Sequence, residues 1–142
     1  MCSGRYPLAP VVFAASDNGF DAHPVGRGTD PRVSPDGRWV AYLSAAAIPG
    51  LEKLKVVPAG GGRSNLLMVG RGVTAPTWSP DSSAIAALSG LRRHRDKLVV
   101  IDIPSGGRRI VSRGTFHGFG FSPDSDEVIF ARARGRSRSR SR

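Results

Sequence analysis

The sequence predicts an all-β protein built from a repeated unit of short antiparallel strands. The chain of 142 residues contains 18 glycines and 11 prolines, and so many turn-forming residues suit short strands better than long helices. A Ser-Pro-Asp tripeptide occurs at residues 34–36, 79–81 and 122–124, with spacings of 45 and 43 residues. The length corresponds to one domain at most, and 39% hydrophobic residues are enough to bury a core.

Two further landmarks recur in step with this tripeptide. A Val-x-Arg-Gly segment precedes each copy, at residues 25–28, 69–72 and 111–114. Ahead of each of these segments lies a β-rich run that ends in a glycine or asparagine turn, namely VVFAASDNG, LKVVPAGGG and LVVIDIPSGG. A period of 40 to 45 residues is typical of one blade of a β-propeller. We therefore predict a partial β-propeller.

The landmarks assign the strands of each unit in order. Strand a precedes the Ser-Pro-Asp turn, strand b follows it, strand c is the β-rich run, and strand d ends in Val-x-Arg-Gly. The predicted b strands are WVAYLS, AIAALS and EVIFAR. In chain order the strands are c0 and d0, then a1 to d1, a2 to d2, and finally a3 and b3. Residues 1–133 are thus predicted to form about three four-stranded antiparallel blades, two of them full and two of them half-blades.

Each position of the Ser-Pro-Asp turn has a physical role. Serine caps the turn, proline presets φ near −65°, aspartate bonds to local amides, and the fourth position favours a positive φ. Gly37 suits that fourth position, whereas Ser82 and Ser125 cost about 1 kcal/mol there if the geometry is kept. The predicted structural turn residues are Ser34, Pro35, Asp36, Gly37, Ser79, Pro80, Asp81, Ser122, Pro123 and Asp124.

The residue immediately before each turn is expected to pack between neighbouring blades. These residues are Val33, Trp78 and Phe121. We interpret the two aromatic side chains as core residues rather than as a stacking site for a ligand.

The three copies resemble the SPDG-type repeat of TolB-like propellers, whose WD-repeat-like blades also occur beside the peptidase domain of prolyl oligopeptidase-type enzymes and in the tricorn protease. The resemblance covers residues 11 to about 133, and the second and third copies depart from it by lacking the turn glycine. It implies a bacterial or archaeal source, a location in the periplasm or cell envelope, and a role in protein contacts. The run PLAPVVFAAS has the outline of a signal peptide, but Pro7 and Pro10 break it and VVF fits the repeat as a strand. The cytoplasm therefore remains an alternative location.

Three blades are too few for an ordinary ring, because propellers close with four to eight. The alternatives are a fragment of a longer propeller, which we favour, an open array capped by something else, and half of a six-bladed dimer. Half-blades leave unpaired strand edges, so self-association through these edges is also expected.

The end of the chain has a different composition. Residues 132–142 carry six arginines and no acid, which is six of the ten units of net positive charge. Residues 134–142 are predicted to form a disordered Arg/Ser-rich tail. Its composition resembles that of the RS segments that bind RNA or other RS segments, and a shifted reading frame is the alternative explanation.

No catalytic, cofactor-binding or metal-binding motif occurs in the sequence. A nucleophile elbow, a phosphate-binding glycine loop, a zinc-protease motif and a dinucleotide fingerprint are all absent. His23, His94 and His117 stand alone, and Cys2 has no partner. We therefore predict a protein that is not an enzyme and has no cofactor or metal. No apolar run reaches the ~18 residues of a membrane span.

Basic residues are predicted to gather on one face. Arg27, Arg71 and Arg113 fall in d-to-a connections, and the loop LRRHRDK is a b-to-c connection. Because strands alternate in direction, these connections emerge on the same side of the blades, as does the tail after strand b3. The candidate partner or polyanion face comprises Arg27, Arg71, Arg92, Arg93, Arg95, Lys97 and Arg113. A solvated rim that only keeps the protein soluble is the alternative.

The sequence leads to three hypotheses about function. The first is a non-catalytic TolB-like propeller module that binds a protein or peptide partner. The second is the gating propeller of a prolyl oligopeptidase-type serine peptidase, separated from its catalytic domain. The third is the binding of RNA or another polyanion through the tail and the basic face.

Overall fold

A computed structural model describes residues 10–15, 21–90 and 96–133, and within these ranges the regular structure consists of β-strands alone. The twelve strands are β1 (Val11–Ala14), β2 (His23–Arg27), β3 (Thr29–Val33), β4 (Trp39–Ala45), β5 (Leu51–Pro58), β6 (Asn65–Arg71), β7 (Thr74–Trp78), β8 (Ala84–Ser89), β9 (Asp96–Asp102), β10 (Arg108–Gly114), β11 (Phe116–Phe121) and β12 (Val128–Arg132). The described residues contain no helix long and apolar enough to cross a membrane.

The strands form four separate antiparallel sheets. β1 and β2 pair as a leading half-blade, and β11 and β12 pair as a trailing half-blade. Between them lie two full blades, with strand orders β3-β4-β5-β6 and β7-β8-β9-β10. This arrangement confirms the predicted succession of strands from c0 to b3. The run VVF, which the sequence analysis interpreted as a strand, forms β1 together with Ala14.

The core lies between stacked sheets rather than within one sheet. Side chains alternate along a strand, so β5 directs Leu54 and Val56 into a cluster shared with Ile85 and Ile101 of the second full blade. The other face of the first full blade packs on the leading half-blade, where Tyr42, Val57, Val12 and Val25 form a second cluster. A third cluster joins the second full blade to the trailing half-blade. Each full blade therefore buries both of its faces.

The glycines of the Val-x-Arg-Gly segments allow the outer strand of one blade to approach the next blade closely. A Cβ atom on Gly26 would lie 2.5 Å from the buried ring of Tyr42, and one on Gly28 would clash with the backbone carbonyl oxygen of Leu43. A Cβ atom on Gly70 would lie 2.6 Å from Oγ of Ser89. Sequence analysis identified the segment, and the structure supplies its physical reason.

Of the three residues expected to pack between blades, two do so. Trp78 is buried in the cluster between the full blades, and its Nε1–H donates to the carbonyl oxygen of Arg32 over 2.9 Å. Phe121 packs against the cluster of the second full blade. The prediction for Val33 is wrong, because this side chain is largely exposed. Trp78 packs beside β3, the a strand of the preceding blade, whereas in the part of the chain that the structure describes the leading half-blade contains only a c and a d strand.

Gly28→Ala is expected to lower the free energy of unfolding by about 1–3 kcal/mol, because the added methyl group must push the β4 backbone away. Gly60→Ala is the matched control, since a Cβ atom at Gly60 meets nothing within 4 Å. The control should change the free energy of unfolding by less than about 0.5 kcal/mol. Chemical denaturation followed by circular dichroism measures both changes, and equal effects would contradict the close-approach explanation.

Candidate functional site

The three Ser-Pro-Asp turns share one hydrogen-bond pattern. The buried serine hydroxyl donates to the aspartate carboxylate two residues later, over 2.6–2.7 Å. The same hydroxyl accepts from the backbone N–H five residues later, over 3.0–3.1 Å, where the next strand approaches. The aspartate also accepts a backbone N–H two residues later, over 3.0 Å. The serine–aspartate pairs are Ser34–Asp36, Ser79–Asp81 and Ser122–Asp124.

The fourth position of each turn has the predicted positive φ. The values are 77° at Gly37, 64° at Ser82 and 66° at Ser125, so the two serines keep the strained geometry. Each serine also makes a contact that sequence analysis missed. Ser82 Oγ accepts from the backbone N–H of Asp36 over 3.0 Å, and Ser125 Oγ accepts from that of Asp81 over 3.1 Å. The strained serine of one blade is thus bonded to the turn of the blade before it.

The hydrogen bonds in these turns favour the charged form of each aspartate. Hydrogen bonds from Ser83 and Ser79 lower the pKa of Asp81 to about 2. The hydroxyl of Ser34 is the main cause of a lowered pKa at Asp36, and that of Ser122 lowers the pKa of Asp124. All three carboxylates are therefore structural anions in neutral solution.

Acid is expected to destabilise the fold through these turns. A carboxylate whose pKa is lowered by folding stabilises the protein above its unfolded pKa, and this contribution disappears as the pH falls through the folded pKa. For Asp81 these values are near 3.8 and about 2, so the free energy of unfolding should fall between about pH 4 and pH 2. Asp81→Asn should lower stability at neutral pH and make it change less across that interval.

The matched control for this substitution is Asp126→Asn. Within the described residues the Asp126 side chain makes no hydrogen bond or ion pair, so this variant should keep the acid dependence of the natural protein. Denaturant unfolding at a series of pH values measures both variants. If Asp81→Asn and the natural protein lost stability equally in acid, the turn carboxylates would not be the cause of the acid dependence.

The structure places the four described members of the predicted basic face near strand ends rather than in loops. Arg27 and Arg71 are the last residues of β2 and β6, Arg113 is the last but one of β10, and Lys97 is the second of β9. The strand register sets Arg113 opposite Lys97 and Arg71 opposite Leu51, the first residue of β5. The ends of the d strands therefore lie beside the starts of the c strands, at the b-to-c end of each blade.

Some of the predicted residues lie outside the described residues. These are Arg92, Arg93, Arg95, His94, Cys2, the predicted turn at residues 16–20 and the tail at residues 134–142. The point at which the tail begins is described. The backbone N–H of Ala133 donates to Thr115 over 2.8 Å, and Nη1 of Arg132 donates to Oγ of Ser112 over 2.8 Å. The chain therefore reaches residue 133 beside the end of β10.

A groove of about 820 Å³ separates the outer strands of the two full blades. Among the described residues that line it, four are cations and none carries a carboxylate. The cations are Arg71, Lys97, Arg108 and Arg109. Apolar side chains and Ser89 complete the lining; the apolar residues are Met68, Val69, Val99 and Ile110. Sequence analysis missed Arg108 and Arg109, because only the packing of one blade against the next brings the start of β10 beside β6.

Two open sheet edges run along this groove. β6 is the last strand of the first full blade and β10 is the outer strand of the second, and neither pairs with a further strand among the described residues. The groove lining includes consecutive stretches of both, residues 68–71 and 108–110. Open edges present unpaired backbone N–H and C=O groups. The groove thus combines positive charge, apolar surface and backbone hydrogen-bonding groups.

The described residues contain no cluster of three His, Cys, Asp or Glu side chains that could hold a metal ion. His23 and His117 are exposed, one on β2 and the other on β11. The recurring aspartates occupy three separate turns and bond to their own turns.

Comparison with known proteins identifies the fold. No family model matches the chain. Over 63 residues, 44% of this chain, the sequence is 38% identical to the uncharacterized peptidase YuxL of Bacillus subtilis (strain 168), and the match covers 10% of that protein.

Solved structures of β-propeller proteins have a similar fold. A putative TolB from Agrobacterium tumefaciens matches 86% of this chain with 22% identity and a TM-score of 0.66, over 47% of its own length. The β-propeller domain of the Trilobed protease from Pyrococcus furiosus matches 72% of this chain with 18% identity and a TM-score of 0.58, over 32% of its own length. The chain spans less than half the length of each of these proteins. Its fold is that of a partial TolB-like β-propeller.

Proposed function

We propose that the protein is a non-catalytic propeller module that binds a protein or peptide partner, with the groove between the full blades as its contact site. The observation that carries this proposal is the lining of four cations without a carboxylate. Such a lining fits an acidic partner, because complementary charge guides association and specificity.

The cations of the groove have no ion-pair partner in the described part of the chain, where the single ion pair joins Arg32 to Asp30. Lys97 and Arg113 lie opposite each other on paired strands, and like charges in that arrangement repel. By strand register Glu52 lies opposite Gly70, but it does not line the groove. A bound anion would relieve the repulsion and supply the missing negative charge.

The two open strand edges along the groove favour an extended peptide over a compact ligand. An extended peptide can add to an open sheet edge through main-chain hydrogen bonds, while its alternate side chains enter pockets. Val69 and Ile110 lie on the two edges and are both exposed. The partner that fits is therefore an extended segment in which acidic side chains alternate with apolar ones.

A propeller segment of a peptidase-like protein is the second candidate, and the 63-residue match to the peptidase YuxL favours it. In that case the groove would belong to a larger protein whose catalytic groups lie elsewhere. The gene's continuation separates the two candidates. An α/β-hydrolase region downstream, with its Gly-x-Ser-x-Gly elbow, would favour the peptidase.

Replacing two of the groove's cations should weaken the binding of an acidic peptide. We expect the double variant Arg71→Ala with Lys97→Ala to bind a fluorescent peptide of alternating glutamate and leucine about tenfold less tightly, a loss of about 1.4 kcal/mol. The matched control is Lys55→Ala with Arg63→Ala, which removes the same charge outside the groove. Fluorescence anisotropy at several salt concentrations measures the affinity of both variants for the peptide. Equal losses of affinity would mean that net charge alone, and not the groove, determines binding.

Truncation at residue 133 tests the alternative of polyanion binding through the tail. The truncated chain keeps Arg132, which belongs to β12 and bonds to Ser112. Peptide binding should persist in the truncated chain, while binding to heparin or RNA should fall and lose much of its salt dependence. Loss of peptide binding on truncation would make the tail the binding element and contradict the groove proposal.

The chain is expected to have no hydrolase activity of its own. Its sequence contains no nucleophile elbow, and an activated nucleophile needs an adjacent base and an oxyanion site. Chromogenic peptide and ester substrates should be hydrolysed at background rates. A rate abolished by a serine-directed inhibitor in pure material would overturn this expectation.

A further inference from the structure

The two half-blades are complementary parts of one blade. β2 ends in the first Val-x-Arg-Gly segment, as the d strands β6 and β10 contain the other two, so β1 and β2 are a c and a d strand. The third Ser-Pro-Asp turn joins β11 to β12, so these are an a and a b strand. Among the described residues, each half-blade therefore contains the two strands that complement those of the other.

Three exposed apolar residues of the half-blades, Ile129, Phe130 and Phe13, have buried equivalents in the second full blade. Ile129 and Phe130 follow the turn serine by seven and eight residues, as Ala86 and Ala87 do in the second full blade. Phe13 pairs with Pro24, three residues before the arginine of the first Val-x-Arg-Gly segment. Val99 likewise pairs with Ile110, three residues before the arginine of the third segment. Ile129 is 61% exposed, whereas its equivalent Ala86 is 0% exposed. Phe130 is 36% exposed and its equivalent Ala87 0%. Phe13 is 60% exposed and its equivalent Val99 6%.

Val33, in the first full blade, is also an exposed apolar residue whose equivalent in the next blade is buried. Its side chain is 61% exposed, whereas its equivalent Trp78 is 8% exposed and contacts β3, the a strand of the preceding blade. In the described residues no a strand precedes Val33. An a strand beside the leading half-blade would cover it, and β11 is an a strand.

We propose that two copies of this chain close a six-bladed ring by forming two composite blades. In each composite blade, β11 and β12 of one copy join β1 and β2 of the other. Each copy contributes the twelve strands found among its described residues, and twenty-four such strands make six four-stranded blades, within the four to eight at which propellers close. Contacts of this head-to-tail kind form a closed ring when the rotation between copies returns to its start. This inference is independent of the acidic-peptide proposal.

The second full blade gives the strand register of the composite blade. There β8 and β9 pair with Ala87 opposite Val99, and the equivalent residues are Phe130 and Phe13. The free edge of β12 would therefore pair with the free edge of β1 from the second copy, with these two aromatic rings side by side. Cross-strand aromatic pairs stabilise antiparallel sheets, and Phe130 already contacts Phe116 edge to face, with ring centroids 5.7 Å apart.

Light scattering after size-exclusion chromatography tests the ring. The full chain should elute as a species of twice its 15.0 kDa mass. Val33→Glu with Ile129→Glu should convert it to a monomer that keeps its β-sheet circular dichroism, because both side chains are exposed within one copy. The matched control Ile48→Glu, at a residue 60% exposed in the loop between β4 and β5, should leave the dimer intact.

Disulfide trapping tests the register directly and does not depend on the stability of the glutamate variants. In a Cys2→Ser background, Phe13→Cys with Phe130→Cys should oxidise to a covalent dimer on a non-reducing gel, whereas Ile48→Cys with Phe130→Cys should not. A monomeric natural chain at every concentration, an open series of larger species, or a Phe13→Cys with Phe130→Cys disulfide at monomer mass would each overturn the composite blade.

Discussion

The buried serine hydroxyl at the start of each turn fixes the first two strands of its blade, which the turn joins. It donates to the turn aspartate and accepts the backbone N–H where the next strand begins, while the serine's own N–H donates to the carbonyl of that same residue. A hydroxyl can do both because one oxygen atom is donor and acceptor. Alanine in its place would remove the hydrogen-bond partner of the N–H at the start of the following strand and of the turn aspartate, and losing such a bond destabilises a fold.

The same turns hold neighbouring blades in register. Apolar contact between sheets is non-directional, so it does not by itself fix how far one blade slides on the next. The bonds from Asp36 to Ser82 and from Asp81 to Ser125 join successive turns at one end of the stack, and the Trp78 bond to Arg32 adds a third fixed point. The conformational strain at Ser82 and Ser125 is thus offset by a directional contact that glycine could not make.

The sequence was sufficient for the features that repeat along the chain and insufficient for those that depend on a neighbour in space. The strand order and the positive φ at Ser82 and Ser125 followed from the period and from turn chemistry. The exposure of Val33, the clash that keeps residue 28 a glycine, and the groove cations Arg108 and Arg109 depend on what lies opposite across a blade junction. The spacing of residues within one repeat does not contain this information, because each contact between blades joins residues about one repeat apart in the sequence.

The three turns differ from one another at positions that face the preceding blade. Val33 stands where Trp78 stands in the next repeat, and Gly37 stands where Ser82 and Ser125 bond to the turn before them. Both differences distinguish the first turn, which lies beside the leading half-blade, where the described residues contain no Ser-Pro-Asp turn. If a second copy supplied that turn, its Asp124 N–H would meet Gly37, which has no hydroxyl to accept it. The junction between copies would then rest on strand pairing and apolar burial alone, so it would be the first junction of the ring to open on dilution.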